Sequence, residues 1–343
     1  MNLQVKYLFV INPYSFWNKW KIEEVTARIR DYFRAEGFGE KNHSHDEPEG
    51  EIFKVAVSRF PRDAEGIIRD YVEELPPETA LRVYAVGGDG ILFDCLNGII
   101  GLENVELGII PYGRSNDFIR GFGGQNKSLF RNIALQVEAP SVPMDVIRGG
   151  NNYALNFCAT GITSLALLYT QRFIENLKKS SRLVRWLTHR FHRYVYWVGG
   201  FPAFFNRNVL QQPCEIIIDE ERFEGRFRGV LMANGAYYGD GKHPASGAMP
   251  NDGLLEVVLA RGAGTLRFLY QLPFYMKGRH EKFPGDFIVR RAKRVIIHSG
   301  EPVLITLDDQ IFFDTSLTVQ LLPAAVRFVD VTEQGYQGVI SDG

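Results

Sequence analysis

Two short stretches carry the residue types needed for phosphate chemistry. In "RVYAVGGDGILFDCLNGIIG", residues 82–101, an apolar run meets Gly87, Gly88, Asp89 and Gly90, and apolar residues then resume at a different spacing. Glycines at such a junction let the backbone turn tightly and approach a ligand with no Cβ in the way. A helix beginning near Ile91 would offer N–H groups and the positive end of its dipole, which suits phosphate. Phosphate repels the carboxylate of Asp89 unless a cation or a proton transfer intervenes. That combination points to a magnesium-bound nucleotide or to acid–base work. A plain strand–helix turn with Asp89 as helix cap accounts for the same residues. "GIIPYGRSNDFIRGFG", residues 108–123, repeats the pattern with Gly113, Arg114, Asn116 and Asp117. Two neighbouring strand ends that each carry an aspartate are more specific than one. A second capped helix is the competing reading.

The elements around these turns alternate. "KYLFVI", "EIFKVAVS", "LRVYAV" and "VELGIIP" read as buried strands. Between them, residues 21–36 place Ile22, Val25, Ile29 and Phe33 at helical spacing, and "RDAEGIIRDYVEEL" and "ILFDCLNGII" read as further helices. Alternation of this kind predicts an N-terminal doubly wound, Rossmann-like α/β domain with a parallel sheet over residues 1–140. Such sheets bind ligands at the carboxyl ends of their strands. From residue 141 the pattern changes to successive strands with period-two alternation. These predict a C-terminal antiparallel β-sandwich over 141–324, interrupted by a helical insert over about 165–207. The terminal segment 325–343 is expected to complete the first domain.

Composition narrows the function classes. Of 343 residues, 45% are hydrophobic and 23% charged, the balance of a globular protein. The formal net charge of -1 gives no global field for recruiting nucleic acid. Cys95, Cys158 and Cys214 lie far apart, which fits a reducing, cytoplasmic setting and argues against a disulfide framework or a structural zinc. "MNLQVKYLFVINP" is too short an apolar run for a signal peptide and reads as a first strand. His43, His45 and Asp46 sit in a polar loop, and His189 and His192 lack a third ligand, so neither group reads as a metal site.

Several blocks occur in an order that resembles the diacylglycerol kinase catalytic-domain family, which includes bacterial soluble lipid kinases and sphingosine kinases. They are the early Asn-Pro, "VGGDGILFDCLNGI", "GIIPYGRSNDFIRGFG", "MDVIRGGNNYALNFCATGITS", "ANGAYYGDGKHPASGAMPNDGLLEVVL" and "LDDQIF". The likeness spans about residues 12 to 325. It implies an ATP- and Mg2+-dependent kinase acting on a lipid hydroxyl, diacylglycerol or a related lipid, with the nucleotide in the cleft between the two domains. By resemblance, Asn12 and Pro13 begin the phosphate-side loop and Ser58 stands where the family carries a Thr. Gly87 to Gly90 form the central nucleotide loop, joined by Gly113, Arg114, Asn116 and Asp117. Asp89, Asp117 and Asp145 match an acidic network around magnesium, and Asp252 an acidic residue near a structural metal. Asp308 and Gln310 fall on the loop that supplies the catalytic base, with Asp89 beside them.

Four positions depart from the family pattern. Phe16 and Gln310 replace a Gly and a Glu, and Ile91 and Arg114 each replace a Thr. Glutamine cannot take up a proton as a carboxylate can, so Asp308 or Asp89 would have to serve as the base. Arg114 could bind phosphate oxygens or fill the site. A catalytically weakened nucleotide- or lipid-binding protein on the same fold is therefore the alternative reading. An NAD kinase, which shares the Gly-Gly-Asp-Gly turn, stands behind both. The basic, aromatic-rich stretch 172–197 suits a peripheral anionic membrane surface at the inner face, or else a helix with a solvated basic side. The expected partner is the lipid substrate and not nucleic acid; a homodimer is left open.

Overall fold

The computed structural model describes residues 5–15, 20–37, 52–123, 127–178, 198–206, 213–262, 264–308 and 310–339. Phe16, the loop with His43, His45 and Asp46, and most of the basic insert, including His189 and His192, lie outside the described residues.

The N-terminal half is a parallel sheet wrapped by helices. Strands β1 (Val5–Ile11), β2 (Phe53–Val57), β3 (Ala80–Gly87) and β4 (Val105–Pro111) pair in the order β4-β3-β1-β2. Strand ends toward the carboxyl side are fully buried, Leu8 to Ile11 and Val83 to Val86 among them. Buried on both faces, these strands read as continuous apolar runs rather than alternating ones. Helix α1 (Trp20–Ala35) seals one face with Val25, Ile29 and Phe33, and Phe33 stacks on Phe53 at 4.4 Å. Helices α2 (Asp63–Glu74) and α3 (Asp89–Ile99) pack together; α3 is buried from Ile91 to Ile99 because α2 covers the side the sheet leaves open.

The C-terminal half is antiparallel and sandwich-like. Strands β5 (Ser141–Gly149), β6 (Asn152–Ala154), β7 (Phe157–Gly161), β8 (Pro213–Ile218), β9 (Glu221–Ala233), β10 (Leu255–Arg261), β11 (Phe287–Ala292), β12 (Arg294–Leu307) and β13 (Gln310–Val329) build it. Strand β12 pairs with β7, β8 and β13, and β9 with β7, β8 and β10, so the sheet folds over an apolar interior centred on Ile216, Met232, Val257, Val295 and Leu317. Beyond α4 (Asp117–Arg120), α5 (Lys127–Phe130) and α6 (Ile133–Glu138), which follow β4, two longer helices lie on this half among the described residues: α7 (Ile162–Lys178) and α8 (Thr265–Tyr275). Helix α8 is not foreseen by the sequence pattern, since it is apolar on two sides and contains Pro273.

One strand ties the halves together. β13 runs for 20 residues, antiparallel to β12 and β5, then at Arg327 and Phe328 parallel to β4. The chain beyond it stays in the α/β half, where the Tyr336 ring sits among Phe118 and Phe122. The 13 strands among the described residues thus form one hydrogen-bonded sheet.

Candidate active site

The carboxyl ends of the parallel strands converge. After β1, Asn12 donates its N–H to Val86 O (3.0 Å), and its side-chain oxygen accepts from Tyr14 N (2.9 Å), tightening the 3-10 turn Pro13–Ser15. After β2, buried Ser58 gives both its N–H and its hydroxyl to Ile11 O, at 2.9 and 3.3 Å. After β3, Gly87 O accepts from Tyr112 N and Gly113 N, each at 2.7 Å, which draws the two glycine turns together. A Cβ on Gly113 would lie 2.1 Å from Gly88 Cα, and one on Gly88 would lie 3.0 Å from Gly113 Cα. The glycines are therefore required by each other, backbone against backbone, whatever else approaches them.

Neither aspartate is a helix cap. Helix α3 starts at Asp89 itself, with Gly88 in the capping position, and α4 starts at Asp117 after Asn116 in the left-handed region (φ 47°). Asp89 accepts the Asp117 N–H through Oδ2 at 3.1 Å, linking the turns. Asp117 is buried and faces the other half of the molecule. Its Oδ2 accepts from Asp240 N (3.0 Å), its Oδ1 from Gly241 N (2.8 Å), and Arg120 Nε stands 3.1 Å from Oδ1. Arg120 also reaches Asp240 at 2.8 Å, and Ser115 Oγ accepts the Asp240 N–H at 3.0 Å. The second turn is thus a brace on Gly239-Asp240-Gly241-Lys242, a turn closed by reciprocal bonds between Tyr238 and Lys242.

Two lysines stand beside these carboxylates. Lys127 Nζ donates to Ser115 O (3.0 Å) and Arg114 O (3.4 Å), and Lys242 Nζ to Gly239 O. Burial lowers the pKa of both ammonium groups, while the charges of Asp117 and Asp240 act the other way. With Arg120 they make a cationic rim around Asp89 and Asp117. Sequence reasoning missed Lys127, Lys242, Arg120 and Asp240. A second Gly-Asp-Gly triplet followed by lysine, "YYGDGKHP", is the signal that could have found two of them, Asp240 and Lys242.

Asp308 comes from the C-terminal half. It occupies the turn between β12 and β13 with φ 46°, next to Gln310, which opens β13 opposite Leu307. Only 9% of Asp308 is exposed. Its carboxylate accepts N–H groups from Leu155 (3.0 Å), Asn156 (3.1 Å) and Phe157 (2.8 Å). Burial pushes its pKa up to about 7; the three N–H groups oppose that, and the nearby charge of Asp89 reinforces it. Asp89 and Asp308 therefore sit within electrostatic reach of one another, one from each half.

The proposed metal ligands do not assemble. Among the described residues no three His, Cys, Asp or Glu side chains come together as a metal site. Asp145 spends its oxygens on Gly253 N and Ala324 N, each at 2.8 Å, and Asp252 binds Leu254 N (3.0 Å) and the Arg291 guanidinium. Both fasten the loop 250–253 to the sheet, apart from Asp89 and Asp117. Asp117 in turn is committed to backbone N–H groups and Arg120. The fit differs for nucleotide phosphates: Lys127 and Lys242 bring positive charge beside the glycine turns, while Arg120 is taken up by Asp117 and Asp240.

Comparison with known proteins bears on this arrangement. Residues 6–148 match the diacylglycerol kinase catalytic domain, and residues 183–330 match the YegS C-terminal NAD kinase beta sandwich-like domain. A Staphylococcus epidermidis protein described as "Putative lipid kinase" is 26% identical over 260 residues, covering 74% of this chain and 77% of its own length. A Staphylococcus aureus protein of the same description is 23% identical over 284 residues, covering 78% and 85%. A crystal structure described as "a putative diacylglycerol kinase" from Bacillus anthracis superposes with a TM-score of 0.68 at 18% identity, over 96% of this chain and 98% of the other. That last likeness is one of fold.

Proposed function

Because the chain belongs to the diacylglycerol kinase catalytic-domain family, we propose that it transfers the γ-phosphoryl group of ATP to the hydroxyl of a lipid, with diacylglycerol as the first candidate. The observation that carries this reading is Asp89 at the crossed Gly88 and Gly113 turns, its Oδ2 accepting the Asp117 N–H at 3.1 Å, with the charge of Asp308 acting on it from the other half. A kinase of this type needs little covalent help from the protein; positioning and charge neutralisation supply most of the rate. The cations Lys127 and Lys242 offset the phosphate charge, and the glycine turns admit the phosphates close to backbone N–H groups. The lipid oxygen forms the new P–O bond as the bond from the γ-phosphorus to the bridging oxygen breaks and ADP departs. The hydroxyl proton passes to one carboxylate of the Asp89–Asp308 pair, that of Asp89. Asp89 is the more accessible member, and Asp308, held by three N–H groups, tunes it through charge.

The donor set does not fit a magnesium held by the protein alone, so no step is routed through the metal. When bound with ATP, magnesium would neutralise phosphate charge.

Gln310 favours a second reading, a weakened enzyme that still binds nucleotide or lipid, because an amide there cannot accept the proton. An assay with labelled ATP and mixed micelles of diacylglycerol, monoacylglycerol, ceramide or sphingosine separates the two. A labelled lipid supports the kinase and names its acceptor. Tight ATP binding without any labelled lipid would overturn the kinase in favour of the weakened protein, and label on NAD alone, run as a parallel acceptor, would overturn both.

A further inference from the structure

One face of the C-terminal half holds large apolar side chains in solvent. On α8, Leu266 is 83% and Tyr270 67% exposed, one turn apart. On the 3-10 turn Phe201–Phe205, which packs against α8, Phe201 is 48% and Phe205 56% exposed, with ring centroids 5.4 Å apart. Phe204 of that turn packs inward against Phe268 of α8 at 6.1 Å, which places both helices side by side. Helix α8 has already buried Phe268, Leu272 and Tyr275 on its inner side. Its outer apolar side is thus surplus to folding, and a cluster of this kind marks an interaction site.

The charges around the cluster select the occupant. From Gly264 to Asp286 stand Arg267, Lys277, Arg279 and Lys282 against Glu281 and Asp286; Asp286 is taken up by Arg267 at 2.6 Å, which leaves three cations against Glu281 on the turn 277–282. Lys277, Arg279 and Lys282 are exposed, and Lys282 Nζ lies 4.6 Å over the Phe274 ring at the edge of the aromatic group. Apolar and aromatic side chains rimmed by cations match a bilayer with anionic headgroups. We propose that this face docks on an anionic membrane. Leu266, Tyr270, Phe201 and Phe205 enter the headgroup–acyl boundary, and the cations of the 277–282 turn meet the headgroups. The choice of a bilayer rests on the lipid-kinase reading as well as on charge.

The docking helix is tied to the active site. Met276 O, at its end, accepts from His243 N at 3.0 Å, and Tyr275 shares hydrogen bonds with Tyr238 and Thr163. The turn 238–242 between those contacts is the one braced by Asp117. A membrane-bound α8 therefore holds the site at a fixed height over the surface from which its substrate comes.

Flotation with vesicles of phosphatidylcholine, with or without phosphatidylglycerol, tests this on the full chain. Two double variants serve: Leu266→Ser with Tyr270→Ser, and Lys277→Glu with Lys282→Glu. The wild type should float with phosphatidylglycerol vesicles, and each pair of changes should cut the bound-to-free ratio by about tenfold or more, the cationic component weakening in high salt. Transfer to diacylglycerol embedded in vesicles should fall with binding, while transfer to a short-chain, water-soluble diacylglycerol stays unchanged. Flotation that is absent, equal for wild type and variants, or equal on neutral vesicles would overturn the docking surface. So would a wild-type dimer that the apolar pair dissociates without vesicles. Docking as expected with no lipid labelled would instead sink the lipid-kinase reading and leave the membrane surface standing.

Discussion

The two glycine–aspartate turns look alike in sequence and do different work. The turn after β3 leaves Asp89 partly exposed, with one oxygen on the Asp117 N–H and the charge of Asp308 nearby. The turn after β4 buries Asp117 and commits both its oxygens to Asp240 N and Gly241 N, with Arg120 alongside. A carboxylate with its acceptor positions filled by fixed N–H groups is a structural strut. One at the open end of a strand, near a second carboxylate, can handle a proton. The difference lies in what reaches each side chain from the other half of the molecule, and local spacing does not encode that.

Substitutions can force the comparison apart. The largest effect is expected at Asp89. Asp89→Asn keeps the shape and removes the proton acceptor, so phosphoryl transfer should drop about a thousandfold while the melting temperature barely moves. Steady-state rates beside a thermal melt check this, and a variant that keeps a tenth of its activity would return Asp89 to a structural role. Next comes Gly113→Ala. The new methyl meets the Gly88 backbone, and stability should fall by about 3 kcal/mol in urea unfolding. An unchanged midpoint would mean that the turns can separate freely.

Asp117→Asn should cost somewhat less, about 2 kcal/mol, because the amide keeps one acceptor oxygen for the two N–H groups, turns its own N–H toward the other, and cannot ion-pair with Arg120. Its activity should fall only as far as the loosened 239–242 turn displaces Lys242, which would appear mainly in KM.

The last effect is a slope. The folded-state pKa of Asp308 is raised from an ordinary carboxylate value to about 7, so the folded protein holds a proton that the unfolded chain has released between about pH 4 and 7. Its contribution to stability is complete below pH 4 and is lost as pH rises through 7, by at most about 1.4 kcal/mol per pH unit. Asp94, pushed up to about 6 by burial, tilts the curve the same way. Asp308→Asn should flatten the stability–pH profile and leave only the part due to Asp94. An equally steep profile in the variant would place the proton elsewhere.

The sequence makes the α/β half and its two turns legible because their signals are local. Glycine, aspartate and apolar periodicity sit within a few residues of the features they produce. Helix α8 escapes because its outer side is apolar too, so the usual polar stripe is missing and Leu266 and Tyr270 blur the period. The division of the aspartates into strut and reagent escapes for a different reason. Asp145 is claimed by Gly253 and Ala324, and Asp117 by Asp240 and Gly241, all more than 100 residues away in the chain. Four aspartates in motif positions resemble a metal network until the backbone N–H groups that occupy two of them are in view. Lys127 and Lys242 are ordinary polar-loop residues in sequence and become part of the site only when the loops meet.

The most direct test puts Asp89→Asn and Asp117→Asn side by side, measuring label transfer from ATP to lipid and thermal stability on the same preparations. A stable Asp89 variant without transfer, beside a destabilised Asp117 variant that retains it at saturating substrate, is the predicted result. Equal loss of activity in both, with equal stability, would contradict the assignment of one turn to chemistry and the other to bracing.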